Sequence, residues 1–181
     1  MATTKTSQVM KLTLALAIAE KIDQFTDKVG RSAAWLSLIM VLVTLTIVVL
    51  RYAFQMGSIA LQESIMYINA LVFTLGAAYT LKEQGHVRVD IFYSKASPRA
   101  KALVDIVGAC VFLFLTLGFI AWWSWDYVAV SWRIREGSTE TSGLPFVYLL
   151  KSTIFLLIGL LALQGISELI KSVRDLVASK Q

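Results

Sequence analysis

The chain has 181 residues, of which 57% are hydrophobic and 16% charged, with a formal net charge of +5, one cysteine and one histidine. Ordinary soluble domains carry roughly 45–50% apolar and about 25% charged residues, so this composition excludes that class. One cysteine excludes an intrachain disulfide framework, and one histidine excludes a paired-ligand haem or a zinc cage.

The charges are unevenly placed. Ser32–Leu50, Ser64–Leu81 and Ile106–Trp125 carry none, and Thr141–Ser167 carries only Lys151. About 20 apolar residues suffice to cross a bilayer. The pattern therefore predicts an all-α integral membrane protein with four spans, near 32–54, 62–82, 103–127 and 144–167.

Residues 1–31 form the first expected unit. "KLTLALAIAE" resembles a signal peptide ending in Ala17-Ile18-Ala19. Cleavage there would leave Lys21, Lys28 and Arg31 outside, against the charge bias, so the segment is expected to be retained. Ile18, Ile22, Phe25 and Val29 recur at three and four, which predicts a cytoplasmic amphipathic helix lying along the membrane. The domain reading is this helix followed by a four-helix membrane domain over 32–181.

Arg51 and Glu63 stand at the outer ends of spans one and two, joined by a short loop, and suit an ion pair. Span two carries Asn69 and Thr74 at membrane depth. Ala70, Thr74 and Ala77, beside Gly76, offer a small-residue face for another helix, internal or a partner's. The chain then turns charged: "HVRVDIFYSKA" predicts a surface arm over about 86–96, with His86, Arg88 and Asp90 at the headgroups. No serine or cysteine accompanies His86 as a nucleophile, and no phosphate-cradling or dinucleotide glycine motif occurs, so catalysis and cofactor binding are not expected. Ser97-Pro98 reads as an N-cap and first helical position.

Trp122, Trp123 and Trp125 crowd the outer end of span three, and Trp35 marks the inner surface, as interfacial anchors do. Lys151 lies about a turn and a half from Pro145, within reach of a lipid phosphate or a partner's carboxylate. Gln164 falls nearer the inner end of span four. Lys and Arg gather before span one, between spans two and three, and after span four, which predicts that both termini are cytoplasmic. The net charge thus has a topological origin and does not point to nucleic acid.

Several stretches form an ordered set. "VVLRYAF" at 48–54, Glu63, "FTLGAAYTLKEQGHVRVDIF" at 73–92, "SPRAKALVDIV" and, less tightly, "LLKSTIFLLIGLLALQGISELI" resemble the small membrane subunit of tripartite ATP-independent periplasmic (TRAP) transporters, the DctQ family. The resemblance covers roughly residues 30–175; many relatives have a tryptophan just before the glutamate, where this chain has Leu61-Gln62.

The resemblance implies a non-catalytic scaffold in the inner membrane, with two protein partners: a large elevator-type membrane subunit that holds substrate and sodium, and a periplasmic substrate-binding protein. No cofactor is implied in this subunit, and the substrate class is an organic anion. Glu63, Asn69, Ala70, Thr74, Gly76, Ala77 and Gln164 become candidates for helix packing or large-subunit contact. Arg133, Arg135, Glu136 and Glu140, in the largest outer loop, become candidates for docking the binding protein. Trp35, Arg51, His86, Arg88, Asp90, Trp122, Trp123, Trp125 and Lys151 are candidate phospholipid or interfacial anchors. The end at Gln181 after a basic tail suggests a separate subunit. The rival reading is a free-standing four-helix membrane protein of another complex.

Overall fold

In hydrocarbon each backbone N–H and C=O must find its partner within the spanning structure, which favours long helices for an apolar chain without strand alternation. The computed structural model describes residues 2–83 and 97–179. Among these it contains α1 (Ala2–Ala53), α2 (Ile59–Lys82), α3 (Pro98–Val107), α4 (Leu115–Ile134) and α5 (Val147–Ala178), and no strand. A π-helical stretch, Gly108–Phe114, joins α3 to α4, so the three form one continuous span. Four helices are long and apolar enough to cross a membrane: Thr13–Ala53, Ile59–Lys82, Pro98–Ile134 and Val147–Ala178. The arm expected over 86–96, with His86, Arg88 and Asp90, lies outside the described residues.

The helix ends have local causes. Gln55 adopts φ 54°, turning the chain out of α1, and the Ser58 hydroxyl then accepts from Leu61 N to open α2. Ser97 caps α3 through Ala100 N, with Pro98 at the first turn, as the sequence predicts. Arg135, at φ 51°, closes α4; its N–H and that of Glu136 donate back to the Ser131 carbonyl. This is a Schellman-type end built on arginine, where glycine is the usual residue.

Residues 2–31 do not form a separate helix: they run unbroken into the first span as one 52-residue helix. The stripe packed inside the protein differs from the expected membrane-facing one and shares only Ile22 with it. Ile18 and Phe25 are exposed, whereas Ala19, Ile22, Thr26 and Ala33 are buried. The physical reason is that small and polar residues along this stripe meet matching groups on α2 and α5. At Gly30 a Cβ would lie 2.5 Å from the Tyr79 ring, so only glycine lets α2 come this close. At about 1.5 Å per residue, the 41 residues Thr13–Ala53, charged between Glu20 and Arg31, form a helix roughly twice as long as the ~30 Å hydrocarbon core. Its N-terminal part therefore extends past the lipid.

α5 is the hub. It packs against α1, α2 and the whole third span, while α1 and α2 also pack on each other. The third span leans on α5 through Gly165, where a Cβ would come 2.6 Å from Leu113 Cδ2 and 3.3 Å from Phe114 Cζ. The arrangement is open: its accessible surface is 12506 Å² for 20.1 kDa, against roughly 8,700 Å² for a compact soluble monomer of that mass.

Candidate functional site

The polar side chains that join the helices fall into two constellations. The first ties α2 to the α4–α5 loop. Glu63, in the second turn of α2, accepts from the Ser138 hydroxyl through one carboxylate oxygen and from Leu144 N at 2.6 Å through the other. Gly143 sits against this clasp, where a Cβ would lie 2.7 Å from Glu63 Oε1. The expected Arg51–Glu63 pair is not formed: Arg51 is exposed, and Glu63 spends both oxygens on the loop. One backbone donor and a hydroxyl, both held in place by the loop, are a better match for a carboxylate at a helix end than a flexible arginine in a high-dielectric headgroup layer.

Beside the clasp, Lys151 Nζ meets Glu136 Oε2 at 2.5 Å and lies 3.9 Å from the centroid of the Tyr127 ring. Its ammonium thus has a carboxylate and an aromatic face within its own chain. Lys151 holds the Glu136 carboxyl below its ordinary value of 4.5. A depressed carboxyl contributes stability above its unfolded pKa and loses it as pH falls through the folded value. In Lys151→Met, Glu136 is expected to titrate at higher pH than in the parent chain, followed by carboxyl-carbon NMR in detergent.

Arg133 and Glu140 are exposed, and the Arg135 guanidinium lies 5.7 Å from the centroid of Tyr148. Trp132 Nε1 donates to Ser152 Oγ at 2.7 Å. Trp35, Trp122, Trp123 and Trp125 are all exposed, and Trp125 meets Phe155 edge-on at 5.8 Å.

The second constellation, midway along α1 and α5 and at the C-terminal end of α2, is centred on Gln164, which is fully buried. Its carbonyl accepts from Thr26 Oγ1 at 2.7 Å, and its amide donates to Asp23 Oδ1 at 3.0 Å and Glu168 Oε1 at 3.2 Å. Ser167 donates to the same Asp23 oxygen at 2.8 Å, and Lys171 reaches Asp23 Oδ2 at 2.7 Å and Glu168 Oε1 at 2.8 Å. A turn away, Lys82 pairs with Asp27 at 2.5 Å, tying α2 to α1. Gln164 is therefore a packing residue between α1 and α5 of this chain. Asp23, Thr26, Asp27, Ser167 and Lys171 escaped the sequence reading. The signal was there: Asp23 and Thr26 on one helix match Gln164, Ser167 and Lys171 on another, at spacings of three and four, and Asp27, four residues after Asp23, meets Lys82 of α2.

On α2, Thr74 is buried, Ala70, Gly76 and Ala77 are half-buried, and Asn69 is exposed. Cys110 is exposed on the third span. Among the described residues no group of three or more His, Cys, Asp or Glu side chains is placed to hold a metal ion.

Four membrane-length helices, tied together by two polar networks, define a multi-pass membrane protein. A family model described as "Tripartite ATP-independent periplasmic transporters, DctQ component" matches residues 40–175, well over half of the chain. The chain belongs to this family and is a component of a TRAP transporter. It is similar to the C4-dicarboxylate TRAP transporter small permease protein DctQ of Vibrio cholerae, with 29% identity over 109 residues. That alignment covers 59% of this chain and 46% of the relative, so the match spans less than half of the relative's length. No solved structure matches the chain.

Proposed function

We propose that this subunit is a non-catalytic scaffold in the bacterial inner membrane, with both termini cytoplasmic. It holds the large elevator-type subunit steady while that subunit moves an organic anion, coupled to sodium bound in the large subunit. The observation that carries the reading is the division of labour on its surface. Its polar groups are largely spent on fixing its own helices to one another, while broad apolar faces on α1 and the third span remain open to lipid or protein. The family match supports the transporter setting, and the printed name of the Vibrio relative favours a C4-dicarboxylate or similar carboxylate. Exposed tryptophans at the ends of the spans would resist vertical displacement, since leaving the interface costs free energy. The charged sequence around His86, Arg88 and Asp90 would add anchorage on the cytoplasmic side.

Docking of the binding protein falls to the loop after α4. Glu136 is engaged by Lys151, which leaves Arg133, Arg135 and Glu140 as the exposed charges there. Reversing Arg133 and Arg135 together to glutamate is expected to lower uptake several-fold while the two membrane subunits still co-purify. Uptake equal to the parent would remove this loop from docking.

A further inference from the structure

Along α2 the residues most exposed between Gln62 and Thr80 fall, Tyr79 apart, on one narrow line. Gln62, Met66, Asn69, Phe73 and Thr80 are exposed, with the half-buried Gly76 completing the series. Their spacing is four, three, four, three, four. Tyr79 is the one other exposed residue in this stretch; it borders Thr80 and covers Gly30. A repeat of 3.5 residues is the seam of a left-handed helix pair, and at Gly76 a Cβ would meet nothing within 4 Å.

What separates this line from a lipid-facing surface is Asn69. It lies within one turn of the midpoint of α2, is exposed, and its carboxamide makes no hydrogen bond to any described residue. The outer face of α1 behaves differently. Thr44 and Thr46 are also exposed at membrane depth, but their hydroxyls donate to the Met40 and Leu42 carbonyls of their own helix, both at 2.8 Å. Thr80 does the same to Gly76 O at 2.9 Å. The Asn69 carboxamide makes no such bond to its own helix, and lipid tails offer neither donor nor acceptor.

We infer that this seam is the seat of one transmembrane helix of the large membrane subunit. The helix crosses α2 at about +20°, presents a hydrogen-bonding group to Asn69, and lays its backbone over Gly76. The inference rests on the scaffold reading, which supplies a large subunit. It moves the contact away from Ala70, Thr74 and Ala77, of which Thr74 is buried inside the chain itself.

The test uses the whole transporter in membranes, in a Cys110→Ser background, with a benzophenone attached at Met66→Cys or Phe73→Cys. The expected product is an adduct with the mass of small plus large subunit from both positions. Separately, Asn69→Leu and Gly76→Leu are expected to lower the co-purifying large subunit roughly three- to thirtyfold, the range of one interhelical hydrogen bond. The melting of the isolated small subunit should not change, because neither side chain is packed within it. Adducts with lipid alone, or with a second copy of this chain, would overturn the inference. So would undiminished large subunit in both leucine variants, and that result would leave the scaffold reading standing. If the parent chain captures no large subunit at all, both fall.

Discussion

Replacing Gln164 by leucine is expected to destabilise the chain by about 2–4 kcal/mol, the largest effect of any single polar substitution. The side chain is fully buried and joins Thr26 and Asp23 of α1 to α5. Interhelical hydrogen bonds in membranes contribute about 0.6–2 kcal/mol each, and Gln164 makes two. Its loss also leaves the Thr26 hydroxyl without its acceptor and the Asp23 carboxylate with one donor fewer, which puts the total toward the upper part of the range for two such bonds. Leucine fills nearly the same volume, so a cavity adds little. Gln164→Glu should be worse than Gln164→Leu, because it sets a third carboxylate beside Asp23 and Glu168. Titration with SDS in mixed micelles, read by helix content, measures the shift. Equal stability of parent and Gln164→Leu would mean that α1 and α5 are held without this network.

Glu63→Ala is the second large effect, and it acts in the other constellation. Both carboxylate oxygens are occupied, one by the Ser138 hydroxyl and one by Leu144 N. Alanine frees the α4–α5 loop from α2. The expected result is a melting temperature lower by several degrees and faster proteolysis between Ser138 and Leu144. Glu63→Gln should fall between, because a carboxamide offers one acceptor where the carboxylate offers two. Gly143→Ala provides an independent check, since its Cβ would press on Ser138 and Glu63 and should loosen the same loop with Glu63 intact. If both alanine variants melt like the parent and resist protease, the clasp does not hold the loop.

Much of this was legible in the chain. Charge-free runs located the four spans, because burying a charge in hydrocarbon is costly enough to leave a visible gap. Ser97-Pro98 marked the start of the third span because the cap is local chemistry. Helix ends outside the lipid were less legible. The third span runs on to Ile134 and the fourth to Ala178, since hydropathy reports the slab and a helix can continue beyond it. The packed stripe of the N-terminal segment was hidden for a related reason. Ile18 and Phe25 advertise an apolar face, yet the packed stripe is Ala19, Ile22, Thr26 and Ala33, whose value depends on partners 138 to 148 residues away. Likewise, Glu63 had an obvious partner nearby in Arg51, and the structure gives it one 81 residues on, at Leu144. Pairings between distant segments leave no mark in a local window.

The central claim is that this chain works as the fixed scaffold of a TRAP transporter. The most direct measurement compares sodium-driven uptake in liposomes holding the large subunit alone with uptake in liposomes holding the complex, binding protein and carboxylate substrate being supplied in both. The account predicts a stable one-to-one membrane complex, with uptake falling by an order of magnitude or more when this subunit is left out. Full uptake by the large subunit alone, with this chain purifying separately as a stable, monodisperse protein, would contradict it.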